Sequence, residues 1–324
     1  MTPAGDDDAR WLNVAAALSL RGRPLSHPNP AVGCVVVREG RVIARGWTQP
    51  GGRPHAEAMA LAAAGDVSGA TVYVSLEPCA HASPRGPSCA DLLVAARPAR
   101  IVVGCQDPDP RTAGAGRARL RAAGIATDLV DAPACRAALA GFLLRTTARR
   151  PHVTLKLALT LDGMIALPDG SSQWITGASA RAHCHAERAR ADGILVGGGT
   201  LRADAPRLDV RLPGLEARSP RRWVLTRGVA PADWHAVADI TEPGAFGDTQ
   251  WLFVEGGAGA AAAFLAADMV DRLLLYRAPI LVGPGLPAVG DFGLAALADA
   301  HDRWDRADER RLGSDTLTVY HRRR

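Results

Sequence analysis

Pro54-His55-Ala56-Glu57, then Leu76-Glu77-Pro78-Cys79, then Cys89 decide how the first half of this 324-residue chain is read. Two thiols and one imidazole (Cys79, Cys89 and His55) make a three-ligand zinc set. Two residues beyond the histidine stands Glu57, a carboxylate that the metal does not need as a ligand. A structural zinc is closed by four protein ligands, whereas a catalytic one keeps a position for water. Zinc lowers the pKa of a water it holds from 15.7 to about 7, so the pattern points to hydrolysis with Glu57 as the proton carrier. Taken singly, His55 reads as a helix-start histidine and each cysteine as a buried apolar thiol; their occurrence together with Glu57 and Pro78 favours the metal. His81, two positions past Cys79, is either a fourth ligand that closes the site or a substrate contact.

Outward from this set, strand and helix signals alternate. Leu12, Ala15, Ala16 and Leu18 recur near helical spacing and predict a helix over residues 11–21. The apolar run 32–37, ended by Glu39-Gly40, predicts a buried strand, a tight turn and a partner strand over 42–47. An Ala-rich helix is expected over 55–64, then a β-branched strand over 71–76, with Cys79 just past its end, where a new helix can begin. Helices over 90–96 and 117–123 alternate with strands over 100–104 and 126–130. The polar, aperiodic stretch 145–151 ends in proline and marks a boundary, which gives domains 1–147 and 151–324. In the second, strands are expected over 153–159, 193–196, 223–226, 251–254, 272–278 and 316–321, and helices over 178–191 and 258–266. Such alternation implies α/β layer folds with largely parallel sheets. Residues 212–250, rich in Pro, Gly and Arg, are expected to be irregular and only partly ordered.

Apolar content of 48% and charged content of 22% suit a globular protein with a real core. Asp6-Asp7-Asp8 is the opposite of a basic signal-peptide start, and no run of about 18 apolar residues is present to span a membrane. A cytoplasmic enzyme with no membrane partner is therefore expected. The net charge of +5 is spread along the chain rather than clustered, and aromatic content is only 5%. Both argue against nucleic-acid binding, while the charge suits a phosphate-bearing small molecule. The six cysteines show no disulfide framework and read as reduced thiols, two of them on metal. Lys156 is the single lysine, and it sits on an apolar strand. A surface cation should have drifted to Arg like all the others, so Lys156 marks a position needing a compact ammonium; the alternative is a structural lysine that snorkels.

H-x-E followed by P-C and a second Cys is the arrangement of zinc deaminases acting on nucleobase-like amines. More of the chain carries a closer likeness: His27-Pro28-Asn29-Pro30-Ala31-Val32-Gly33-Cys34, Leu76-Glu77-Pro78-Cys79-Ala80-His81 and Gln106-Asp107-Pro108-Asp109-Pro110. With the His55 segment, these resemble the deaminase half of the bifunctional riboflavin-biosynthesis deaminase/reductases. The resemblance implies a cytidine-deaminase-like three-layer α/β/α domain, zinc as cofactor, and 2,5-diamino-6-(5-phosphoribosylamino)pyrimidin-4(3H)-one as substrate, held by Asn29, His81 and Asp107. On its own, Asn29 reads equally as an Asx turn beside proline. The family usually places eight residues between the two cysteines, whereas Cys79 and Cys89 enclose nine, the extra one falling in Ser83-Pro84-Arg85-Gly86-Pro87. Asp109 stands where the family commonly has Asn.

The second half resembles the dihydrofolate-reductase-like half of the same family, an α/β domain. The segments are Thr154-Leu155-Lys156-Leu157-Ala158, Leu161-Asp162-Gly163, Ser172-Gln173-Trp174-Ile175-Thr176, Gly199-Thr200-Leu201-Arg202-Ala203-Asp204 and Val254-Glu255-Gly256-Gly257-Ala258-Gly259. The last is a strand, a glycine turn and a helix start whose N–H groups can face a phosphate. The likeness implies NADPH against Ala158, Trp174, Thr200, Asp204, Thr226, Gly257, Ala258 and Gly259. It implies substrate against Ser172, Arg188, Leu208, Arg211 and Glu255, hydride delivery to C1′ of the opened ribose with Lys156 acting there, and a homodimer. Arg188 also reads as a solvated helix-face residue. The family's paired aspartates are Asp204-Ala205 here, and region 212–250 is shortened. Two other functions fit the zinc motif: a nucleic-acid-editing deaminase with a C-terminal binding domain, and a protein with only one active half.

Overall fold

Glu39 and Gly40 both take positive φ, 51° and 72°, as a primed two-residue hairpin turn requires. They join β1 (Gly33–Arg38) to β2 (Arg41–Trp47) in register Arg38↔Arg41, with a bulge between Val36 and Val37. This hairpin belongs to a computed structural model that describes residues 4–81 and 84–324; Ser83, in the loop expected to absorb the extra inter-cysteine residue, lies outside them. The chain divides into two compact units, Met1–Arg149 and Arg150–Arg324.

Unit 1 begins with α1 (Ala4–Ser19) and continues after the hairpin through α2 (Ala56–Ala64), β3 (Thr71–Val74), α3 (Cys89–Ala96), β4 (Arg100–Val103), α4 (Ala115–Ala122), β5 (Ala126–Leu129) and α5 (Pro133–Ala148). Its sheet order is β2-β1-β3-β4-β5. The expectation of a largely parallel sheet holds only for β3-β4-β5; β1 runs antiparallel to both its neighbours. The hairpin dictates this, because a two-residue turn can join only antiparallel strands. Helix α1 starts seven residues earlier than its apolar pattern indicates. Asp7 and Asp8 near its start favour the helix N-terminus, and buried Asp8 accepts two bonds from Arg100 on β4 (2.9 and 2.8 Å) and one from the Tyr73 hydroxyl (3.0 Å). Burial of Trp11, Leu12, Ala15 and Ala16 packs its other face on the sheet.

Two expectations fail, one at the boundary and one at Cys79. Residues 145–148 are helical, because α5 carries buried Cys135, Leu139 and Phe142 on a helical stripe and the polar residues continue its outer face. Thr146 and Thr147 return their hydroxyls to the carbonyls of Phe142 and Leu143, at 2.9 and 2.8 Å. No helix begins at Cys79; the next one starts at Cys89, where Ser88 caps it by accepting from the Asp91 N–H at 3.2 Å.

Unit 2 comprises β6 (His152–Leu159), β7 (Met164–Ala166), α6 (Ala178–Arg188), β8 (Gly193–Gly197), α7 (Gly198–Asp204), β9 (Arg221–Leu225), β10 (His235–Val237), β11 (Trp251–Val254), α8 (Ala258–Ala266), β12 (Val270–Arg277), β13 (Leu286–Pro287), β14 (Trp304–Leu312) and β15 (Asp315–Arg322). Strand order is β10-β9-β8-β11-β6-β12-β15-β14, parallel as far as β12 and antiparallel beyond it. Alternate residues of β6 serve two cores: Val153, Leu155, Leu157 and Leu159 pack with α8, while the Lys156 face meets the cluster of Ile194, Phe253, Leu274 and Tyr276 under α6. Strand β14 was not expected from Trp-Asp-Arg-Ala-Asp-Glu-Arg-Arg-Leu, because a charged edge strand shows no apolar alternation. Residues 212–250 hold little regular structure besides β9 and β10, yet Val237, Ile240 and Phe246 are buried in the core.

Glycine sets the layer spacing in unit 1. A Cβ on Gly33 would fall 1.9 Å from the Ala15 carbonyl oxygen, and one on Gly46 2.3 Å from that of Ala56. Gly33→Ala is expected to lower stability by about 2–3 kcal/mol through overpacking. Gly40→Ala, which meets open space but keeps a positive φ, should cost about 1 kcal/mol. Melting and urea midpoints of the full chain check the order of the two.

Candidate active sites

Three helices of one layer begin where the zinc donors meet. His55 is the residue before α2, with extended backbone, and Cys89 is the first residue of α3. Cys79, in the loop after β3, accepts from the Cys89 N–H at 3.3 Å through its sulfur, and its carbonyl accepts from Ala90 N–H at 3.1 Å. The positive end of α3 thus stabilises the Cys79 thiolate. His55 Nδ1 lies 3.2 Å from Cys89 Sγ and 3.6 Å from Cys79 Sγ, and all three donor atoms fall within 4.8 Å of one another. A tetrahedral zinc with bonds of about 2.0–2.3 Å holds its donors roughly 3.5–3.8 Å apart, so the set fits zinc with little adjustment. His81 is not among the converging donors; its Nδ1 faces the Thr112 hydroxyl at 3.4 Å.

Glu57, in the first turn of α2, is 3% exposed, and burial pushes its carboxyl up from the ordinary value despite the opposing influence of His55. It faces a cavity of ≈ 280 Å³ whose wall also carries His55, Cys79, Asn29, His81 and Asp107. Asn29 donates its amide to the Gly52 carbonyl at 3.2 Å. Gly52, at φ 82°, has no room for a Cβ, which would lie 2.4 Å from that same amide. Asp107 accepts from the Asp109 N–H at 2.9 Å, and burial raises its carboxyl to about 6. Asp109 pairs with Arg111, both oxygens 3.0 Å from Nε.

Sequence reasoning gave Glu77 no role. Its carboxylate, with no exposed surface, accepts from Gly114 N–H and Arg117 N–H (both 3.1 Å) at the start of α4. Directly beside it, a Cβ on Gly116 would come 2.1 Å from the Pro78 carbonyl oxygen. Helix α4 therefore grips Glu77-Pro78 and sets where Cys79 stands. A buried acid in a motif otherwise explained by metal ligands was the available signal.

In unit 2 the face of β6 carrying Lys156 meets Glu255, just past β11, whose N–H continues the ladder to Leu195 O at 2.9 Å. Lys156 Nζ is 3.5 Å from Glu255 Oε2; Arg188, ending α6, donates to Oε1 at 2.5 Å and to Oε2 at 3.0 Å, and to the Asp209 carbonyl at 2.9 Å. Burial opposes the charge on Glu255, yet Lys156 and Arg188 hold it down to about 2. Burial likewise opposes the Lys156 ammonium, but its pKa lies above the ordinary value. Cys184, the nearest thiol, is pushed up to about 12 by burial, so Glu255 is the partner that keeps the ammonium charged at neutral pH.

The glycine-bearing strand ends lie beside this triad in the sheet. Thr200 accepts from the Gly257 N–H at 3.3 Å, linking α7 to the start of α8, and Thr226 accepts from Gly228 N–H at 3.0 Å. The α8 N-terminus has no side-chain cap, and a Cβ on Gly259 would meet nothing. Ala258 opens the same turn, leaving N–H groups open to a phosphate; this start fits a nucleotide. Ala158 is half-buried on β6, two residues from Lys156, and Ser172 is half-buried after β7. Trp174 is 63% exposed under the Arg181 guanidinium, 4.7 Å from its ring centre. Asp204 is an exposed helix end. The Leu208 side chain is buried in the core, so only its main chain can meet a ligand, and Arg211 is held by its N–H to His185 Nδ1 at 3.3 Å.

Glu77→Ala should weaken zinc retention about 10–100-fold, as loss of a group that orients a ligand does. Competition with a chromogenic chelator reads this, and zinc held as tightly as in the wild type would count against the grip of α4.

Residues 151–243 and 246–318 match the family model of the RibD C-terminal domain, and residues 6–105 that of the cytidine and deoxycytidylate deaminase zinc-binding region. The riboflavin biosynthesis protein RibD of Aquifex aeolicus is 33% identical, covering 97% of this chain and 98% of its own length; that of Mycobacterium tuberculosis is 36% identical, with 96% of each covered. Acinetobacter baumannii RibD superposes with a TM-score of 0.84 at 31% identity, over 98% of this chain and 99% of that one. The diaminohydroxyphosphoribosylaminopyrimidine deaminase/5-amino-6-(5-phosphoribosylamino)uracil reductase of Thermotoga maritima does so with 0.85 at 28%, over the same shares. No described helix is long and apolar enough to cross a membrane. A zinc-type donor set in one unit and an ammonium–carboxylate–guanidinium cluster beside glycine-rich strand ends in the other are thus joined on a chain that, over nearly its whole length, belongs to the RibD family of bifunctional riboflavin-biosynthesis enzymes, with a deaminase and a reductase domain.

Proposed function

We propose that unit 1 deaminates 2,5-diamino-6-(5-phosphoribosylamino)pyrimidin-4(3H)-one and that unit 2 then reduces the ribosyl side chain with NADPH, giving 5-amino-6-(5-phosphoribitylamino)uracil. The observation that carries this reading is the convergence of His55, Cys79 and Cys89 beside a cavity lined by His55, Cys79 and the buried Glu57. Bound at those three residues, zinc supplies an acidified water as nucleophile. Glu57 takes a proton from that water, passes it to the ring nitrogen and delivers a proton to the departing ammonia; its place on the cavity wall beside His55 and Cys79 suits that part. Asn29, His81 and Asp107 help hold the pyrimidine and its ribose phosphate.

In unit 2, NADPH supplies the hydride that reaches C1′ of the opened ribose. Lys156, kept charged by Glu255, stabilises the charge that develops there or gives up a proton. Ser172, Arg188, Arg211, Glu255 and the Leu208 main chain hold the substrate. Ala158, Trp174, Thr200, Asp204, Thr226 and the turn Gly257-Ala258-Gly259 hold the cofactor. A cytoplasmic homodimer accompanies this reading.

Purified protein given the diaminopyrimidine without NADPH is expected to release ammonia, and with NADPH to oxidise it only after deamination. Glu57→Gln should lose about 10²–10⁴ in ammonia release while keeping its zinc; normal release would refute the proton-carrier role. Lys156→Arg should abolish NADPH oxidation and leave deamination intact, because a planar fork cannot replace a compact ammonium beside Arg188; undiminished oxidation sinks the role given to Lys156.

A further inference from the structure

The segment between β7 and α6 carries Ser172 and Trp174 but no helix or strand. Two side chains hold its end. Arg181, in the first turn of α6, donates to the Thr176 carbonyl at 2.5 Å, and its guanidinium carbon stands 4.7 Å from the ring centre of Trp174. Asp315, the first residue of β15, is 1% exposed and accepts from the Gly177 N–H at 2.7 Å. The turn before it, Gly313-Ser314, lies on the same helix start: Gly313 has φ 70°, and a Cβ there would come 3.4 Å from the Ser179 hydroxyl oxygen. The tip of the β14-β15 hairpin thus seats on the junction of this strap with α6.

A helix start needs no distant partner. Ser, Thr, Asp or Asn at position 177 would satisfy an N–H of the first turn of α6 locally, yet a glycine with no capping side chain stands there. Its N–H instead meets a carboxylate 138 residues away, and burying that charge is costly unless such a donor meets it. A local cap fixes only a helix end, whereas a buried acid from another element also fixes where the strap stands against the sheet. Arg181 adds a second constraint, because a planar guanidinium can hold a carbonyl and lie against an aromatic ring at once. We infer that Asp315 and Arg181 are positioning residues of unit 2: together they fix residues 172–176, and with them Ser172 and Trp174, in place for substrate and cofactor. The inference rests on the reading of Ser172 and Trp174 given above. Neither Asp315 nor Arg181 is assigned a part in hydride or proton transfer.

The test measures NADPH affinity by calorimetry, NADPH oxidation on pre-deaminated substrate, and amide hydrogen exchange over residues 172–176 of the cofactor-free full chain. In Asp315→Ala, Kd and KM for NADPH should rise about 10–100-fold, as loss of a charge-assisted bond does. The change in kcat should be far smaller, and exchange over 172–176 should quicken. Asp315→Asn, which keeps an acceptor oxygen, should recover most of the affinity. Arg181→Ala should raise Kd in the same way, and the double variant should lose less than the product of the single losses, because both residues grip one strap. Zinc content stays at the wild-type level and reports that unit 1 is intact. A role confined to capping α6 would speed exchange over 178–181 alone and leave Kd where it is, which overturns the inference. If Asp315→Ala does not fold, Arg181→Ala decides, and wild-type Kd and exchange there overturn it. If the wild type binds neither NADPH nor NADH, the cofactor reading of unit 2 fails instead, and exchange over 172–176 alone decides whether the pair fixes the strap.

Discussion

The carboxylate of Glu77 closing on the first N–H groups of α4 is the contact on which unit 1 depends. The first turn of a helix leaves its amide hydrogens without intrahelical partners, and a buried acid needs donors just as strongly. Bringing the two together satisfies both and fixes the residue two positions on, Cys79. The same demand recurs at α2, which His55 precedes, and at α3, which Cys89 opens and whose amide meets the Cys79 sulfur. The zinc-type donor set of unit 1 is thus the place where three helix starts come together, two of them with their first N–H groups satisfied by Cys79, Ser88 and Glu77.

Unit 2 solves a related problem with side-chain charge. A carboxylate between sheet and helix is stable there because an ammonium and a guanidinium face it, and breaking such a set by removing one member leaves an uncompensated buried charge. The Lys156 ammonium stands on β6 and the carboxylate that keeps it charged directly follows β11, the parallel strand paired with β6, so backbone pairing holds their separation. Neither charge depends on a mobile loop for its position.

Chemically rare residues were the legible ones. His55, Glu57, Cys79 and Cys89 can be read from the chain because few arrangements of two thiols, an imidazole and a spare acid have another use, and Lys156 because it is the only one of its kind. Unit boundaries and edge elements were less legible. The polar end of α5 looks like a linker until Phe142 is seen buried beneath it, and β14 looks like a charged loop because it is an edge strand paired with β15. The part played by Glu77 was hidden for a different reason: its partners are backbone amides 37 and 40 residues away, and amides carry no sequence signal.

Having a single lysine also shapes how the molecule as a whole meets alkaline solution. Guanidinium groups stay protonated well beyond pH 12, so the surface charge scarcely responds as pH climbs through the range where lysine-rich proteins lose theirs. Of the three tyrosines, burial lifts Tyr73 to about 12 and Tyr276 further up. Solubility and long-range attraction for anions consequently persist in mild base.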